Sequence, residues 1–132
     1  MKTFGLYKKQ KLCSPTAIDS LFGPGGSPDS SALLYPIRAV WRNNPGRRSD
    51  SPVAFLISIP KRRLRHAVER VLMRRRIREA FRLNHQSYPL PEGYRVDVAF
   101  IYVGNRTHSY ATVERSVRRL LENIQRHYAA DV

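Results

Sequence analysis

KRRLRHAVERVLMRRRIREAFR, residues Lys61 to Arg82, carries ten Lys or Arg side chains against two acids, Glu69 and Glu79. Arg70, Arg74, Arg78 and Arg82 recur at every fourth position. At about 100° per residue they form one slowly drifting helical stripe, with Arg75 beside it. Leu72, Met73, Ile77, Ala80 and Leu83 fall on roughly the opposite side. The spacing therefore predicts a helix from about His66 to Asn84 with a core face and an arginine face. Like charges at i, i+4 destabilise a helix by about 0.2–0.5 kcal/mol per pair, and only Glu79 stands where it relieves them. A solvated basic face is the plain alternative. An unbalanced arginine stripe is better explained by a polyanion that neutralises it, because the planar guanidinium fork matches phosphate oxygens.

The composition of the whole chain agrees. With 24 Lys plus Arg against 10 Asp plus Glu, the formal charge of +14 exceeds what solubility needs and matches a nucleic-acid-binding domain. A membrane partner fits less well, since no apolar run approaches the roughly 18–20 residues of a spanning helix. The first residues, MKTFGLYKKQKLCSP, lack the apolar core and small-residue cleavage site of an export signal, so the expected location is the cytoplasm. The single cysteine, Cys13, has no partner in the chain for a disulfide and fits a reducing compartment.

A chain of 132 residues suits one domain, 1–132, with a modest two-layer core. The turn-rich stretches Gly23 to Ser31 (GPGGSPDSS) and Asn43 to Pro52 (NNPGRRSDSP) do not separate two core-sized pieces and read as loops. Ser14 and Pro15 open a short helix that runs to about Phe22, where Gly23 stops it. Ala32 to Arg42 and Val53 to Ile59 read as strands, with Pro36 placing the first near an edge or bulge. Tyr94 to Val103 reads as a central strand, with Tyr94, Val96, Val98, Phe100 and Tyr102 on one face and Ala99, Ile101 and Val103 on the other. A last helix, from about Ser109 to Tyr128, follows from the stripe Val113, Val117, Leu120, Leu121, Ile124 and Tyr128. The order α, β, β, α, β, α predicts an α+β fold, a small α/β sandwich in which helices cover one face of a mixed sheet.

Ala67-Val68-Glu69-Arg70, then Arg74-Arg75 and Arg78-Glu79-Ala80-Phe81-Arg82, resembles the arginine-rich signature helix of the bacterial ribonuclease P protein subunit. Ile57-Ser58-Ile59-Pro60-Lys61-Arg62-Arg63 is similar to the strand end and basic turn that precede that helix in the family. The remaining elements fall in matching order over most of the chain. One departure stands at the helix start, where the family usually reads Arg-Asn-Arg: Arg70 is kept, while Val71 and Leu72 replace the other two.

The resemblance implies an accessory subunit of a ribonucleoprotein endonuclease that removes 5′ leaders from precursor tRNA. Its partners would be the catalytic RNA subunit and precursor tRNA, with no membrane. It implies RNA contacts from Lys61, Arg62, Arg63, Arg65, Arg70, Arg74, Arg75, Arg78 and Arg82. It also implies a leader-binding cleft at Ile18, Phe22, Tyr35, Ile37 and Trp41, where unpaired nucleotides would stack on apolar or aromatic surfaces. A left-handed βαβ crossover around the arginine helix is implied as well, against the right-handed default.

A protein active site is hard to find in this chain. The ten acids are scattered, with no pair at a spacing that builds a two-metal centre. His66, His85, His108 and His127 leave a two-histidine acid–base ribonuclease conceivable. There is no zinc spacing of Cys and His and no phosphate-binding glycine loop. The expectation is therefore no catalytic residue and no bound cofactor in the protein alone, with Mg2+ serving the RNA-containing particle. A structural rRNA-binding protein of ribosomal type and a self-sufficient basic nuclease are the competing readings.

Overall fold

Strand β4 (Val96–Tyr102) is apolar everywhere except Asp97, and such a strand must be covered on both faces. The computed structural model describes residues 29–44 and 52–129. In it β4 lies inside a four-stranded sheet of order β1-β2-β4-β3, with β1 (Ser30–Leu34), β2 (Ile37–Asn43) and β3 (Val53–Ser58). β2 pairs antiparallel with β4, Ile37 opposite Tyr102 and Asn43 opposite Val96. β3 pairs parallel with it, from Val53 opposite Val96 to Ser58 opposite Ile101. A parallel neighbour requires a crossover, which α1 (Ala67–Asn84) supplies; α2 (Tyr110–Ala129) follows β4. The fold is α+β, a mixed sheet with two helices on one face, as the element order predicts. The expected helix from Ser14 to Phe22, with Ile18 and Phe22, and the Cys13 thiol lie outside the described residues.

Side-chain alternation divides the sheet into two faces. Val96, Val98, Phe100 and Tyr102 of β4 join Ile37, Ala39 and Trp41 of β2 and Phe55 of β3 in the main core beneath the helices. Val40, Ala54 and Ala99 form a smaller cluster on the opposite face, with Leu56 and Ile101 against it. All six apolar positions expected on α2 are buried. Its first turn is capped by Ser109, whose Oγ accepts the Thr112 N–H at 3.3 Å.

Two details differ from the sequence-based expectation. The segment Ala32–Arg42 is not one strand but two, β1 and β2, joined at Tyr35-Pro36, with Leu34 opposite Ile37. Pro36 has no N–H to give to a ladder, and the chain reverses at this residue, whose peptide bond with Tyr35 is cis. On α1 the buried residues are Met73, Ile77, Ala80 and Phe81, whereas Leu72 and Leu83 are each 37 % exposed. The core stripe is centred on Ile77 and takes its neighbours four before and three and four after. Leu72, one residue from Met73, is turned about 100° away from that stripe.

The end of β4, the β1–β2 turn and the start of α2 meet closely. The Tyr102 hydroxyl donates to the Arg106 carbonyl and lies 2.7 Å from His108 Nδ1. A Cβ on Gly104 would stand 3.0 Å from the Tyr102 ring and 3.1 Å from both Pro36 and His108, so any side chain there would press these neighbours back by a few tenths of an ångström. The Ser116 hydroxyl faces the Tyr35 carbonyl at 2.9 Å and holds the hairpin turn against α2.

Phe81 is fully buried, 4.5 Å from the Phe55 ring and stacked at 4.8 Å on His85. Phe81→Ala is expected to lower unfolding free energy by about 3–5 kcal/mol. Leu83→Ala, on a half-exposed side chain, should cost well under half as much. Denaturant titration of both variants checks this; equal losses would place Leu83 in the core after all.

Candidate nucleic-acid interface

The basic turn before α1 is anchored by one apolar residue. Leu64 is buried, so Lys61, Arg62 and Arg65 are turned to solvent. The Arg63 N–H donates to the Pro60 carbonyl at 3.0 Å and closes the turn, and its guanidinium donates to Asn105 Oδ1 at 3.3 Å. Arg70 reaches back from the first turns of α1 and donates to the carbonyls of Leu64 (2.9 Å) and Arg65 (2.8 Å). It thereby fixes the turn to the helix. These cations crowd the positive end of the α1 dipole, with only Glu69 in the first turn to offset them, an arrangement that favours an incoming anion. Arg62, Arg63, Leu64, Arg65, His66 and Asn105 border an open cleft of about 320 Å³ there.

Further along α1 the arginine stripe drifts by about 40° at each four-residue step, because 3.6 residues complete a turn. Arg70 and Arg74 are consequently half-buried at the core edge, while Arg78 and its neighbour Arg75 face solvent. Among the described residues Arg74, Arg75 and Arg78 have no ion-pair partner. Arg76, outside the stripe, is half-buried and donates to the His108 carbonyl, tying α1 to the loop before α2. Arg82 is held by Glu79, whose carboxyl that hydrogen bond pulls below its ordinary pKa. Arg75, Arg76, Arg78, Glu79, Arg82 and Tyr110 surround an open cleft of about 410 Å³ between the helices. At its wall Tyr110 donates to Glu114 Oε2 at 3.1 Å, and burial followed by this carboxylate pushes the phenol up to about 12.

The residues expected to hold the leader do not share one environment. Tyr35 is 59 % exposed and packs edge-on against the His108 ring at 5.4 Å. Ile37 and Trp41, expected in the cleft, are core residues at 0 % and 2 % exposure, because alternation along β2 turns both under the helices. Ile18 and Phe22 lie outside the described residues. The four histidines occupy four different settings. His66 is the exposed N-cap of α1, His85 stacks on Phe81, His108 sits beside Tyr102, and His127 packs edge-on against Trp41 at 5.9 Å.

Sequence reasoning did not single out Arg115, Arg118 and Arg119 on the outer side of α2, which with Tyr88, Ala111 and Glu114 line a further cleft of about 330 Å³. The signal was present: these arginines fill the positions between those of the apolar stripe Val113, Val117, Leu120 and Leu121.

The family model described as Ribonuclease P matches residues 6–125. The chain belongs to the ribonuclease P protein family. It is 33 % identical over 125 residues to a protein named Ribonuclease P protein component from Porphyromonas gingivalis, covering 92 % of this chain and 88 % of that one. The protein of the same name from a second strain of that bacterium is 34 % identical over 128 residues, with the same coverage. No solved structure matches significantly. Within this ribonuclease P family member, no helix among the described residues is long and apolar enough to cross a membrane.

The raised Tyr110 pKa gives a spectroscopic check of the interhelical cleft. The hydroxyl is expected to ionise at about 12, and Glu114→Gln should bring it only part of the way to the ordinary value because burial is the larger cause. The stability linked to this group is present below the unfolded value of about 10 and is lost as pH rises toward 12. Ultraviolet titration of the wild type against Tyr110→Phe isolates the transition. A midpoint near 10 would mean that Tyr110 is not enclosed as described.

Proposed function

We propose that this chain is the protein subunit of ribonuclease P. It binds the catalytic RNA subunit and the 5′ leader of precursor tRNA, and it supports endonucleolytic removal of the leader to give the mature tRNA 5′ end. The observation that carries this reading is the outward cationic surface running from Lys61, Arg62, Arg63 and Arg65 to Arg74, Arg75, Arg78 and Arg82, on a chain of this family. Among these only Arg82 has a carboxylate partner among the described residues. Guanidinium groups left unpaired on a rigid helix are suited to bidentate contacts with phosphate oxygens.

Catalysis in this reading resides in the RNA subunit. Among the described residues no group of three or more His, Cys, Asp or Glu side chains fits a metal ion. The magnesium that serves hydrolysis belongs, in this reading, to the RNA-containing particle. The protein contributes cationic screening, which lets two polyanions, catalyst and substrate, approach each other. Its site of action would be the cytoplasm. Tyr35 is the aromatic best presented to the leader among the described residues, since Ser116 holds its carbonyl and the ring remains exposed. Ile18 and Phe22, outside the described residues, enter this reading through the family resemblance alone.

Reconstitution with the RNA subunit tests this directly. Replacing Arg74 and Arg78 together by Ala should weaken assembly and flatten the dependence of log affinity on log salt by about 0.7–0.9 for each phosphate no longer neutralised. The reconstituted particle should also lose more precursor cleavage at low magnesium than at high, where the metal supplies the screening. An unchanged salt slope would sink the assignment of this face.

Leader recognition is separable from assembly. Tyr35→Ala should reduce the particle's affinity for precursor tRNA by about 1–3 kcal/mol, the range of one base-stacking contact. Affinity for mature tRNA, which lacks the leader, should barely change. Equal weakening for both tRNAs would remove Tyr35 from the leader surface.

A further inference from the structure

The cationic surface does not stop at α1. Arg115, Arg118 and Arg119 are exposed on α2, at i, i+3 and i+4, where Cβ atoms stand about 5–6 Å apart. Tyr88 reaches their cleft from the short 3-10 turn His85–Ser87 that follows α1, its N–H bonded to the His85 carbonyl at 3.2 Å. Arg118 and Tyr88 line the same cleft.

The acids nearby are already engaged. Glu114 Oε2 accepts from the Tyr110 hydroxyl at 3.1 Å and from Asn84 Nδ2 at 3.2 Å, and Glu122 is paired with Arg126. Neither Arg115 nor Arg119 has an ion-pair partner among the described residues. The Tyr110–Glu114 contact also joins this cleft to its neighbour, for Tyr110 lines the one that holds Arg75, Arg78 and Arg82. The two arginine-lined clefts are thus neighbours across the two-helix layer, meeting at the Tyr110–Glu114 contact.

We propose that the RNA interface crosses the seam between α1 and α2, and that Arg115, Arg118 and Arg119 bind backbone phosphates of the same RNA subunit that α1 contacts, with Tyr88 flanking the strand. This rests on the function proposed above. Charge complementarity favours a polyanion: three guanidinium groups face an open cleft against the single carboxylate of Glu114, which leaves a net positive excess. Continuity with the α1 surface favours the RNA subunit over the substrate as its source.

The triple variant R115A/R118A/R119A, assembled with the RNA subunit over a range of salt concentrations, tests the proposal. Its slope of log affinity against log salt should be shallower than that of the wild type by about 2 to 3, with weaker assembly at every salt concentration. The corresponding triple Lys variant should restore most of the slope. Precursor-tRNA affinity of particles assembled at saturating protein should stay within twofold of the wild type. If the alanine variant melts early, R115Q and R119Q are each expected to lower the slope by about 0.7–0.9. Two results would overturn the inference: an α2 variant that assembles like the wild type while R74A/R78A does not, or a loss confined to precursor-tRNA affinity. Failure of the wild type itself to bind the RNA subunit would instead overturn the functional reading on which the inference rests.

Discussion

The rotation of α1 about its own axis, fixed by packing against the sheet, sets everything the interface presents. Met73, Ile77, Ala80 and Phe81 are all fully buried, and Phe81 lies between Phe55 at 4.5 Å and Phe100 at 6.0 Å. Burying a side chain of this size stabilises by about 1.5–3 kcal/mol. The i, i+4 repulsions among Arg70, Arg74, Arg78 and Arg82 cost about 0.2–0.5 kcal/mol each before screening. Packing therefore wins by a wide margin. The helix can carry unneutralised arginines on its outer side without its own sequence having to balance them.

The same rotation decides what each cation does. Arg70 and Arg76, both half-buried, donate to backbone carbonyls and become parts of the scaffold. Arg75 and Arg78, on the outer side, keep their donors for a partner. Val68, Val71 and Leu72 are exposed on the first turns, at 80 %, 46 % and 37 %. Where the family resemblance leads one to expect Asn and Arg, this helix instead offers Val71 and Leu72, so its polar reach divides between the turn at Lys61–Arg65 and the stretch from Arg74 onward.

Long, regular patterns were legible in the sequence. The bounds of α1, the two faces of β4 and the whole apolar stripe of α2 could be read because each pattern repeats often enough to fix its phase. Short or crowded patterns were not. The apolar stretch Ala32–Arg42 hides a reversal at Tyr35-Pro36, since apolar residues continue on both sides of it. On α1, apolar residues occur nearly all round, so Leu72 and Leu83 competed with Phe81 for the core, and only the position of the sheet chooses between them. Trp41 and Ile37 were candidates for leader contact because aromatic and apolar side chains suit both stacking and burial. Strand register, not residue type, put them under the helices.

The most direct test is arginine-selective chemical modification, followed residue by residue by mass spectrometry, with and without the RNA subunit. The account predicts that Arg75 and Arg78 are modified in the free protein and protected in the assembled particle. Arg38, exposed on the sheet face opposite the helices, should react equally in both. Continued reactivity of Arg75 and Arg78 in the assembled particle, with protection at Arg38 instead, would contradict the assignment of the α1 face to RNA.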